Sequence, residues 1–403
     1  MRAIYVDKHV PRVLLTKAVA PLWPGFVWTP LSSARAADLP DPPLPGPRWL
    51  RVKNQQCGIC ASDLSLLFVH ADPSVAPAAL PGLSRFWLGH ETVSVVTEIG
   101  PSVTRFRLGD RVIMDTHFEG ANCLTLEIEP HCRYCAEGHY HHCVNKAEPG
   151  PRGQGGGFGD SFVTHESAVY PVPAGLTQDQ AALSEPLSMA MHAVMRSAPM
   201  PGDKVLIIGA GILGLLVTMV VKALVPEAEI TVLARYSHQQ KMAEKLGARH
   251  ILGGPDYSAI AMLTGGRYFT APLNKGVIIG GYDVIYDCVA NAETTNHALR
   301  WTRAGGTVVM VGAHMAPMPK VDLTLVWYQQ VDLIGAYGRE IEGWKGEHKH
   351  TYEFVFDQFR QGKFDIDGLI THRFPPEDYK EAIRVATSKG KEKSIKVEFL
   401  HES

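Results

Sequence analysis

The chain has 403 residues, of which 45% are hydrophobic and 20% charged, a composition typical of globular proteins and unlike that of disordered chains. Its 39 lysines and arginines against 41 aspartates and glutamates give a formal net charge of −2, which provides no global field for nucleic acid or an anionic membrane. The apolar stretches are too short to span a bilayer, and the first residues lack a signal-peptide pattern. These features predict a soluble, cytoplasmic protein without nucleic-acid or membrane partners.

The N-terminal part of the chain is predicted to be rich in β-structure. Residues 39–47 (LPDPPLPGP) are too rich in proline for a helix, and residues 149–160 read as a glycine-rich loop. Around these segments lie short runs such as WLGHETVSVVTEIG and LGDRVIM, which are typical of strands separated by turns. The pattern predicts an antiparallel, barrel-like first domain over residues 1–186.

The pattern changes near residue 186, where a helical segment leads into strands that alternate with helices. The predicted strands are KVLII, EITVLA, YDVIYDCV, TVVMVGA and VDLIGAYG, and a helix over TTNHALRWTRAGG is predicted to end at Gly305 and Gly306. This alternation is typical of βαβ units, so we expect an α/β fold with a doubly wound parallel sheet over residues 187–338.

Residues 339–403 contain two amphipathic helical segments and a strand-like ending, IKVEFL, and we expect this segment to return to the first domain. Near its end, lysines alternate with glutamates and are predicted to lie in a solvated turn. These lysines are Lys389, Lys391, Lys393 and Lys396.

A glycine-rich motif follows the predicted strand KVLII and opens an apolar helix. Glycines at such a position allow a tight turn, close approach of the backbone to a pyrophosphate and close packing of helix on strand. The helix N-terminus then offers free N–H groups to the phosphates. The motif therefore predicts a dinucleotide site at Gly209, Gly211, Ile212, Leu213 and Gly214.

The choice of cofactor should depend on the end of the next strand, about 20 residues beyond the last glycine. The residues there are Ala234, Arg235 and Tyr236. No carboxylate is present to accept a hydrogen bond from the ribose 2′-hydroxyl of NAD. A guanidinium can pair with a 2′-phosphate, so the sequence favours NADP(H) over NAD(H). The alternative is that Arg235 is simply solvated.

Four of the seven cysteines fall within 21 residues, which in a reducing compartment indicates a metal site rather than disulfides. Cys132, Cys135 and Cys143 have spacings that suit a tetrahedral structural zinc. Cys123 is the best fourth ligand by position, although Glu129 and the neighbouring histidines compete with it.

A second candidate metal site is dispersed over three segments. Cys60 lies in GICASD, His90 precedes Glu91 in GHE, and Glu185 begins SEPL. A catalytic zinc needs three protein ligands and one open position, which Cys60, His90 and Glu185 would supply. Individually, each of these residues also fits an ordinary structural role, and spacing alone does not join them.

These motifs, with LGDRV, GAGILG and LITHRF, resemble the zinc-dependent alcohol dehydrogenases of the medium-chain dehydrogenase/reductase (MDR) superfamily, in particular the polyol and threonine dehydrogenase branch. The resemblance runs from about residue 40 to the end. It implies a GroES-like β-barrel catalytic domain and a Rossmann domain, with the cofactor in the cleft between them, and an enzyme that forms homodimers or homotetramers.

Carried over to this chain, the resemblance makes Cys60, His90 and Glu185 the ligands of a catalytic zinc, with Glu91 as an additional or alternating ligand. It makes Ser62 the hydroxyl that relays the proton of an alcohol substrate. Asp63 is expected to hold the second ring nitrogen of His90. The expected activity is hydride transfer between a nicotinamide cofactor and an alcohol or carbonyl compound.

Three departures from the family pattern are apparent. Glu129 stands where the first structural-zinc cysteine is expected, so Cys123 would have to take its place through a longer loop. Residues 10–38 exceed the usual N-terminus, where they could reshape the substrate entrance or an interface. Ser65 stands where many members have a histidine two residues after the aspartate, so proton delivery could take another route. Two other functions remain open: an MDR reductase of enone or quinone C=C bonds with an idle or lost zinc, and a non-enzymatic, nucleotide-sensing zinc protein.

Overall fold

A computed structural model describes residues 1–72, 84–115, 121–270, 272–273 and 276–402. The chain divides into two units. The first consists of Met1–Glu185, Arg339–Ile341 and Ile370–Ser403, and the second of Pro186–Gly338 and Glu342–Leu369. The boundary near residue 186 falls inside a helix that contains Pro186.

Short strands dominate the chain before that helix. In order, the elements are β1 (Arg2–Asp7), α1 (Val10–Val19), β2 (Ala34–Asp38), β3 (Trp49–Gly58), α2 (Ala61–Leu67), β4 (Arg85–Trp87), β5 (Glu91–Ile99), β6 (Arg111–Met114), α3 (Arg133–Ala136), β7 (Gln154–Gly155), β8 (Ser161–His165) and β9 (Val169–Pro171).

Strands and helices then alternate. The elements are α4 (Gln178–Arg196), β10 (Lys204–Ile208), α5 (Ile212–Leu224), β11 (Glu229–Leu233), α6 (Ser237–Lys245), β12 (His250–Leu252), α7 (Tyr257–Thr264), β13 (Arg267–Phe269), β14 (Val277–Ile279), β15 (Tyr282–Asp287), α8 (Ala292–Trp301), β16 (Thr302–Met310), α9 (Thr324–Tyr328) and β17 (Asp332–Gly335).

The remaining elements are β18 (Ile341–Trp344), β19 (Glu347–His350), α10 (Thr351–Arg360), β20 (Ile370–Phe374), α11 (Tyr379–Thr387), α12 (Lys389–Glu392) and β21 (Lys396–Leu400).

The first unit is built on an eight-stranded sheet in the order β20-β21-β3-β5-β6-β9, to which β8 and β7 are joined through β3. Its pairings are antiparallel except for β20 with β21. Aliphatic side chains such as Leu50, Val52 and Val112, all fully buried, form one of its cores. The late strand β21 pairs directly with β3, with Phe399 opposite Cys57.

Helix α1 lies in residues 10–38, the segment that exceeds the usual N-terminus of the family. Together with β1, α2 and β4 it surrounds an apolar cavity of about 220 Å³. The cavity is lined by Val6, Lys8, Val10, Val13, Leu14, Leu66, Val69, Ala71 and Phe86. Residues 10–19 therefore form a helix that lines one side of this cavity, beside α2.

The second unit contains a six-stranded parallel sheet in the order β12-β11-β10-β15-β16-β17. Numbered in chain order within this sheet, the strand order is 3-2-1-4-5-6, which is that of a doubly wound dinucleotide-binding fold. Helix α5 is buried from Gly214 to Val221, which explains why its sequence is apolar on all sides. The predicted fold class is confirmed.

One predicted helix end is wrong. Helix α8 ends at Trp301, and Gly305 and Gly306 lie inside β16 instead of closing the helix. A side chain at Gly306 would meet the Asp283 carbonyl oxygen at 3.0 Å, so this glycine allows β16 to pass close to its neighbour.

Across the described residues, no helix combines the length and apolar character needed to traverse a bilayer.

Candidate active site and metal centres

The structure brings Cys60, His90 and Glu91 together in the first unit. Their ligand atoms, one from each residue, lie within 4.8 Å of one another. Cys60 is the N-cap of α2, and His90 and Glu91 stand at the start of β5. Gly89 has φ +87°, and a side chain there would meet the Phe158 amide nitrogen at 2.6 Å, so only glycine lets the chain deliver His90 here.

Asp63 organises two of these residues. Its Oδ2 accepts a hydrogen bond from the Cys60 amide at 3.1 Å, and its Oδ1 accepts one from the Gly89 amide at 3.0 Å. Oδ1 also lies 3.4 Å from Nδ1 of His90. Burial raises the pKa of Asp63, but the attraction of His90 and the two amides outweighs it and lowers the pKa overall. An ionised Asp63 can thus hold one ring nitrogen of His90 and leave the other for a ligand role.

Glu91 forms a buried ion pair with Lys396. Lys396 is 1% exposed, and its Nζ also donates to the Ile59 carbonyl oxygen at 3.2 Å. Burial lowers its pKa, but the charges of Glu91 and Cys60 outweigh that effect and raise it. The prediction of a solvated lysine turn is therefore wrong for Lys396, because β21 carries it into the sheet beside β3.

Glu185 lies outside the close group of three and is instead ion-paired with Arg339. The guanidinium also donates to the carbonyl oxygen of Asp115, and both side chains of the ion pair are almost fully buried. Burial raises the pKa of Glu185, while the charges of Arg339 and His90 oppose this rise. The charge of His90 thus acts on Glu185, although the Glu185 carboxylate is not in the group of three. Ser62 is half-buried in the first turn of α2.

The four clustered cysteines meet in a separate region, residues 121–148, here called the four-cysteine lobe. The sulfurs of Cys123, Cys132, Cys135 and Cys143 all lie within 4.8 Å of one another. The Cys143 sulfur is 3.7 Å from that of Cys123 and 3.8 Å from that of Cys132. A tetrahedral zinc with Zn–S bonds of about 2.3 Å places its sulfurs about 3.8 Å apart, so the group fits zinc.

Hydrogen bonds within the lobe favour thiolates. The Cys132 amide donates to Cys123 Sγ at 3.3 Å, and the Asn145 side chain donates to the same sulfur at 3.2 Å. The Cys135 backbone N–H lowers the pKa of Cys132 to about 6, whereas burial raises the pKa values of Cys135 and Cys143. Glu129, the competing ligand, is 76% exposed and bonds to His131 at 3.0 Å. The structure thus brings Cys123, and not Glu129, to the other three sulfurs.

The glycine-rich motif of the second unit forms the turn between β10 and α5. Gly209 has φ +92°, and a side chain at Gly214 would lie 1.8 Å from the Gly209 carbonyl oxygen. Both positions therefore require glycine. Gly211 caps α5, and Ile212 and Leu213 begin it, half-buried, so the free N–H groups of the helix start directly after the turn.

The end of β11 lies beside this turn, since the Gly209 amide donates to the Leu233 carbonyl oxygen at 3.0 Å. Ala234 is buried, whereas Arg235 is exposed with its guanidinium carbon 5.7 Å from the centre of the Tyr236 ring. Tyr236 caps α6. The predicted cofactor residues of the two strands are therefore neighbours at the carboxyl edge of the sheet.

Comparison with known families bears directly on this arrangement. Residues 46–174 match the alcohol dehydrogenase GroES-like domain, and residues 213–353 match the zinc-binding dehydrogenase family. The chain belongs to the zinc-dependent alcohol dehydrogenases of the MDR superfamily, in the polyol dehydrogenase branch. It is accordingly an oxidoreductase that uses zinc and a nicotinamide cofactor.

Two relatives illustrate the branch. The chain is 29% identical over 358 residues to L-idonate 5-dehydrogenase of Vitis vinifera, covering 88% of each chain. It is 27% identical over 372 residues to sorbitol dehydrogenase of Arabidopsis thaliana, covering 89% of this chain and 90% of the relative.

Two solved structures share the fold. A zinc-binding dehydrogenase from Sinorhizobium meliloti 1021 bound to NADP has a TM-score of 0.68 at 23% identity, with 99% of each chain covered. An alcohol dehydrogenase from Escherichia coli CFT073 complexed with NADH has a TM-score of 0.73 at 20% identity, again with 99% of each covered.

Sequence reasoning missed two buried cations of this dehydrogenase, Lys396 and Arg339. Lys396 stands alone in the strand-like IKVEFL, and a lysine between apolar residues of a predicted strand is a signal for an inward-facing, paired charge. Arg339 lies in no recognised motif. Only its three-dimensional contacts, to Glu185 and to Asp115, connect it with the site.

Proposed function

We propose that the chain is an NADP(H)-preferring alcohol dehydrogenase or carbonyl reductase whose catalytic zinc is held by Cys60, His90 and a carboxylate. The observation that carries this proposal is the meeting of Cys60, His90 and Glu91 from segments 30 residues apart, within 4.8 Å. A thiolate, an imidazole and a carboxylate form a donor set that suits zinc. Glu91 and Glu185 are both candidates for the carboxylate ligand, and they can alternate.

Bound zinc would act as a Lewis acid on the alcohol or carbonyl oxygen. The protein residues supply the rest of the machinery. Asp63 fixes the imidazole of His90, Lys396 and Arg339 balance the two carboxylates, and Ser62 is placed two residues after Cys60 to accept the hydroxyl proton and pass it outward. A bound nicotinamide would supply the hydride donor or acceptor, and the protein would orient it against the substrate carbon.

The preference for NADP(H) rests on Arg235. It is exposed at the end of β11, next to the glycine turn, in a segment with no carboxylate between Ala234 and His238. A carboxylate there would repel a 2′-phosphate, whereas a guanidinium attracts it. The solved relatives include both an NADP complex and an NADH complex, so the fold alone does not decide.

The cofactor proposal is tested by replacing Arg235 with glutamine. We expect kcat/KM for NADPH to fall about tenfold, which corresponds to the loss of about one charge-assisted hydrogen bond, while kcat/KM for NADH stays unchanged. The matched control is Arg300→Gln, which removes a guanidinium in α8 of the same unit. Equal efficiency of the unaltered enzyme with NAD(H) and NADP(H) contradicts the proposal.

Similarity to the polyol dehydrogenase branch supports alcohols of the polyol type, or the corresponding carbonyl compounds, as the substrate class. A panel of polyols, simple alcohols, aldehydes and enones with each nicotinamide cofactor identifies it from the absorbance of the reduced cofactor. Oxidation of alcohols with two zinc ions per chain supports the proposal. Reduction of enones alone, with one zinc per chain, would favour the C=C reductase instead.

Two further features support finer proposals. Strand β17 is the edge of the parallel sheet, and Trp327, Tyr328 and Leu333 beside or on it are exposed apolar residues, which suits a homodimer or homotetramer. None of the seven cysteines forms a disulfide, which suits a reducing compartment such as the cytoplasm. Light scattering after size exclusion measures the oligomeric state, and fractionation of cells measures the localisation.

A further inference from the structure

Three consecutive residues connect the four-cysteine lobe to Glu185. We call Arg339, Glu340 and Ile341 the strap. Arg339 pairs with Glu185 and donates to the Asp115 carbonyl oxygen, while the next two residues contact the lobe. All of these residues belong to the first unit.

The contact of the strap with the lobe has a polar and an apolar part. Glu340 Oε2 lies 2.5 Å from Nδ1 of His139, and the two side chains are 15% and 32% exposed. A side chain at Gly138, whose φ is +86°, would come within 2.5 Å of Ile341 Cγ1. Gly138 and His139 both lie between the lobe cysteines Cys135 and Cys143, so the strap rests on the segment that joins two sulfurs.

This connection restricts Arg339. Neighbouring Cα atoms are 3.8 Å apart, so anchoring Glu340 and Ile341 fixes the backbone from which the arginine side chain extends. A long side chain loses considerable rotamer freedom when its guanidinium is held at one place, and a fixed backbone reduces that cost. The lobe thereby contributes to the position of the guanidinium on Glu185.

We propose that Glu340 and His139 are positioning residues through which the four-cysteine lobe holds Arg339 on Glu185 at the catalytic centre. The lobe then has a catalytic role in addition to stabilising its own fold. This inference rests on the proposed catalytic metal site, because it is there that the position of Glu185 matters. It requires no contact of Glu340 or His139 with substrate or cofactor.

The variants that test it are Glu340→Gln and His139→Gln, each of which weakens the ion pair with little change in size. The matched control is Glu137→Gln, because Glu137 is an exposed carboxylate of the same lobe that pairs with Arg133. We expect each test variant to lower kcat about tenfold, the lower end of the range for residues that support metal ligands, with the KM for the cofactor unchanged. The control should keep the kcat of the unaltered enzyme.

A second readout does not depend on activity. With cobalt in the catalytic site and zinc in the lobe, the visible spectrum reports the ligands of the cobalt. We expect Glu340→Gln and Arg339→Lys to shift this spectrum in the same way, and Glu137→Gln to leave it unchanged. Zinc content and thermal melting show whether the lobe itself is intact.

Combining the variants separates positioning from a general structural effect. If Glu340 acts through Arg339, the double variant Arg339→Lys/Glu340→Gln has the kcat of Arg339→Lys alone, whereas independent effects multiply. Multiplication overturns the inference. So does a Glu340→Gln protein that matches the control in kcat and in spectrum, or loss of lobe zinc from both test variants.

Failure of this inference can be distinguished from failure of the proposed function. An unaltered enzyme that binds metal only in the four-cysteine lobe removes the catalytic metal site, and with it both proposals. An enzyme with two metal ions whose test variants behave like Glu137→Gln keeps the proposed function and removes only the role of the strap.

Discussion

The two metal-binding candidates of the first unit are built in opposite ways. The four-cysteine lobe takes all of its ligands from one short stretch, between Cys123 and Cys143, and all are sulfurs. The catalytic cluster takes Cys60 from the start of α2 and His90 and Glu91 from the start of β5, and mixes sulfur, nitrogen and oxygen. A closed sulfur shell suits a structural ion, whereas a mixed and incomplete shell leaves room for substrate.

The two regions also differ in how they balance charge. In the lobe, amide N–H groups of Cys132 and Asn145 donate to the sulfurs. In and beside the catalytic cluster, cationic side chains balance the carboxylates. Lys396 pairs with Glu91 in the cluster, and Arg339 pairs with Glu185 beside it. Buried ion pairs are costly to break, because removing one partner leaves an uncompensated charge. The catalytic cluster should therefore be the more sensitive of the two to changes outside its ligands.

The largest expected effect is on catalysis. Replacing Cys60 with alanine removes one of three ligands of the catalytic ion, and we expect kcat to fall at least about 1,000-fold, by analogy with the loss of other essential catalytic groups. Metal analysis should show one zinc per chain instead of two, with little change in melting temperature. Full activity in this variant would remove the metal from the mechanism.

The converse substitution is Cys135→Ala in the lobe. We expect loss of the lobe zinc and a decrease of at least about 3 kcal/mol in the free energy of unfolding, because a structural ion contributes its binding energy to the fold. Denaturant titration measures this decrease. A lobe variant that is as stable as the unaltered protein would show that the four sulfurs hold no structural ion.

The charge balance of the catalytic cluster is tested by Lys396→Met, which fills the same space but leaves Glu91 without its cation. We expect a loss of about 3 kcal/mol in the free energy of unfolding, typical of a broken buried pair. Lys396→Arg keeps the charge and serves as the control. Equal stability of the methionine variant would show that the buried pair with Glu91 contributes nothing to the stability of the fold.

A smaller effect is expected at Glu398, next to this pair on β21. Burial raises its pKa from the usual 4.5 to about 7, and the nearby Lys396 opposes this rise. Its Oε1 is buried without a hydrogen-bond partner among the described residues. The folded protein therefore binds this proton more tightly than the unfolded chain, and stability is lost as the pH rises from about 4.5 to about 7.

Glutamine mimics the protonated form, so Glu398→Gln should stabilise the protein at pH 8 by about 1–3 kcal/mol and change little at pH 4. Chemical denaturation at the two pH values measures the difference. Glu98→Gln, which alters a half-exposed carboxylate paired with Arg51, is the control and should show no such pH dependence. A gain that is equal at both pH values would contradict a raised pKa.

The sequence predicts local features of this molecule well. The glycine motif at residues 209–214 predicts the turn between β10 and α5, and four cysteines within 21 residues predict the lobe. In each case the interacting groups are close along the chain. The alternation of strands and helices indicates the parallel sheet for the same reason. These features need no knowledge of tertiary contacts.

The parts that sequence reasoning misses depend on distant contacts. Lys396 looks solvated among other lysines, yet it reaches Glu91 across 305 positions. Arg339 reaches Glu185 across 154 positions and carries no motif. Because glycine commonly ends helices, the sequence predicts that α8 ends at Gly305 and Gly306, whereas Gly306 instead lets β16 pass close to its neighbouring strand.

The position of β21 in the sheet affects the order in which the protein can assemble. During synthesis, N-terminal domains generally fold before later ones are made. Here β21 lies between β20 and β3 and carries the lysine that neutralises Glu91, yet the ribosome produces it only after the entire second unit. The first unit is thus completed only after the second unit has been made, and a nascent chain must keep residues 56–58 of β3 without their β21 partner until that strand is made.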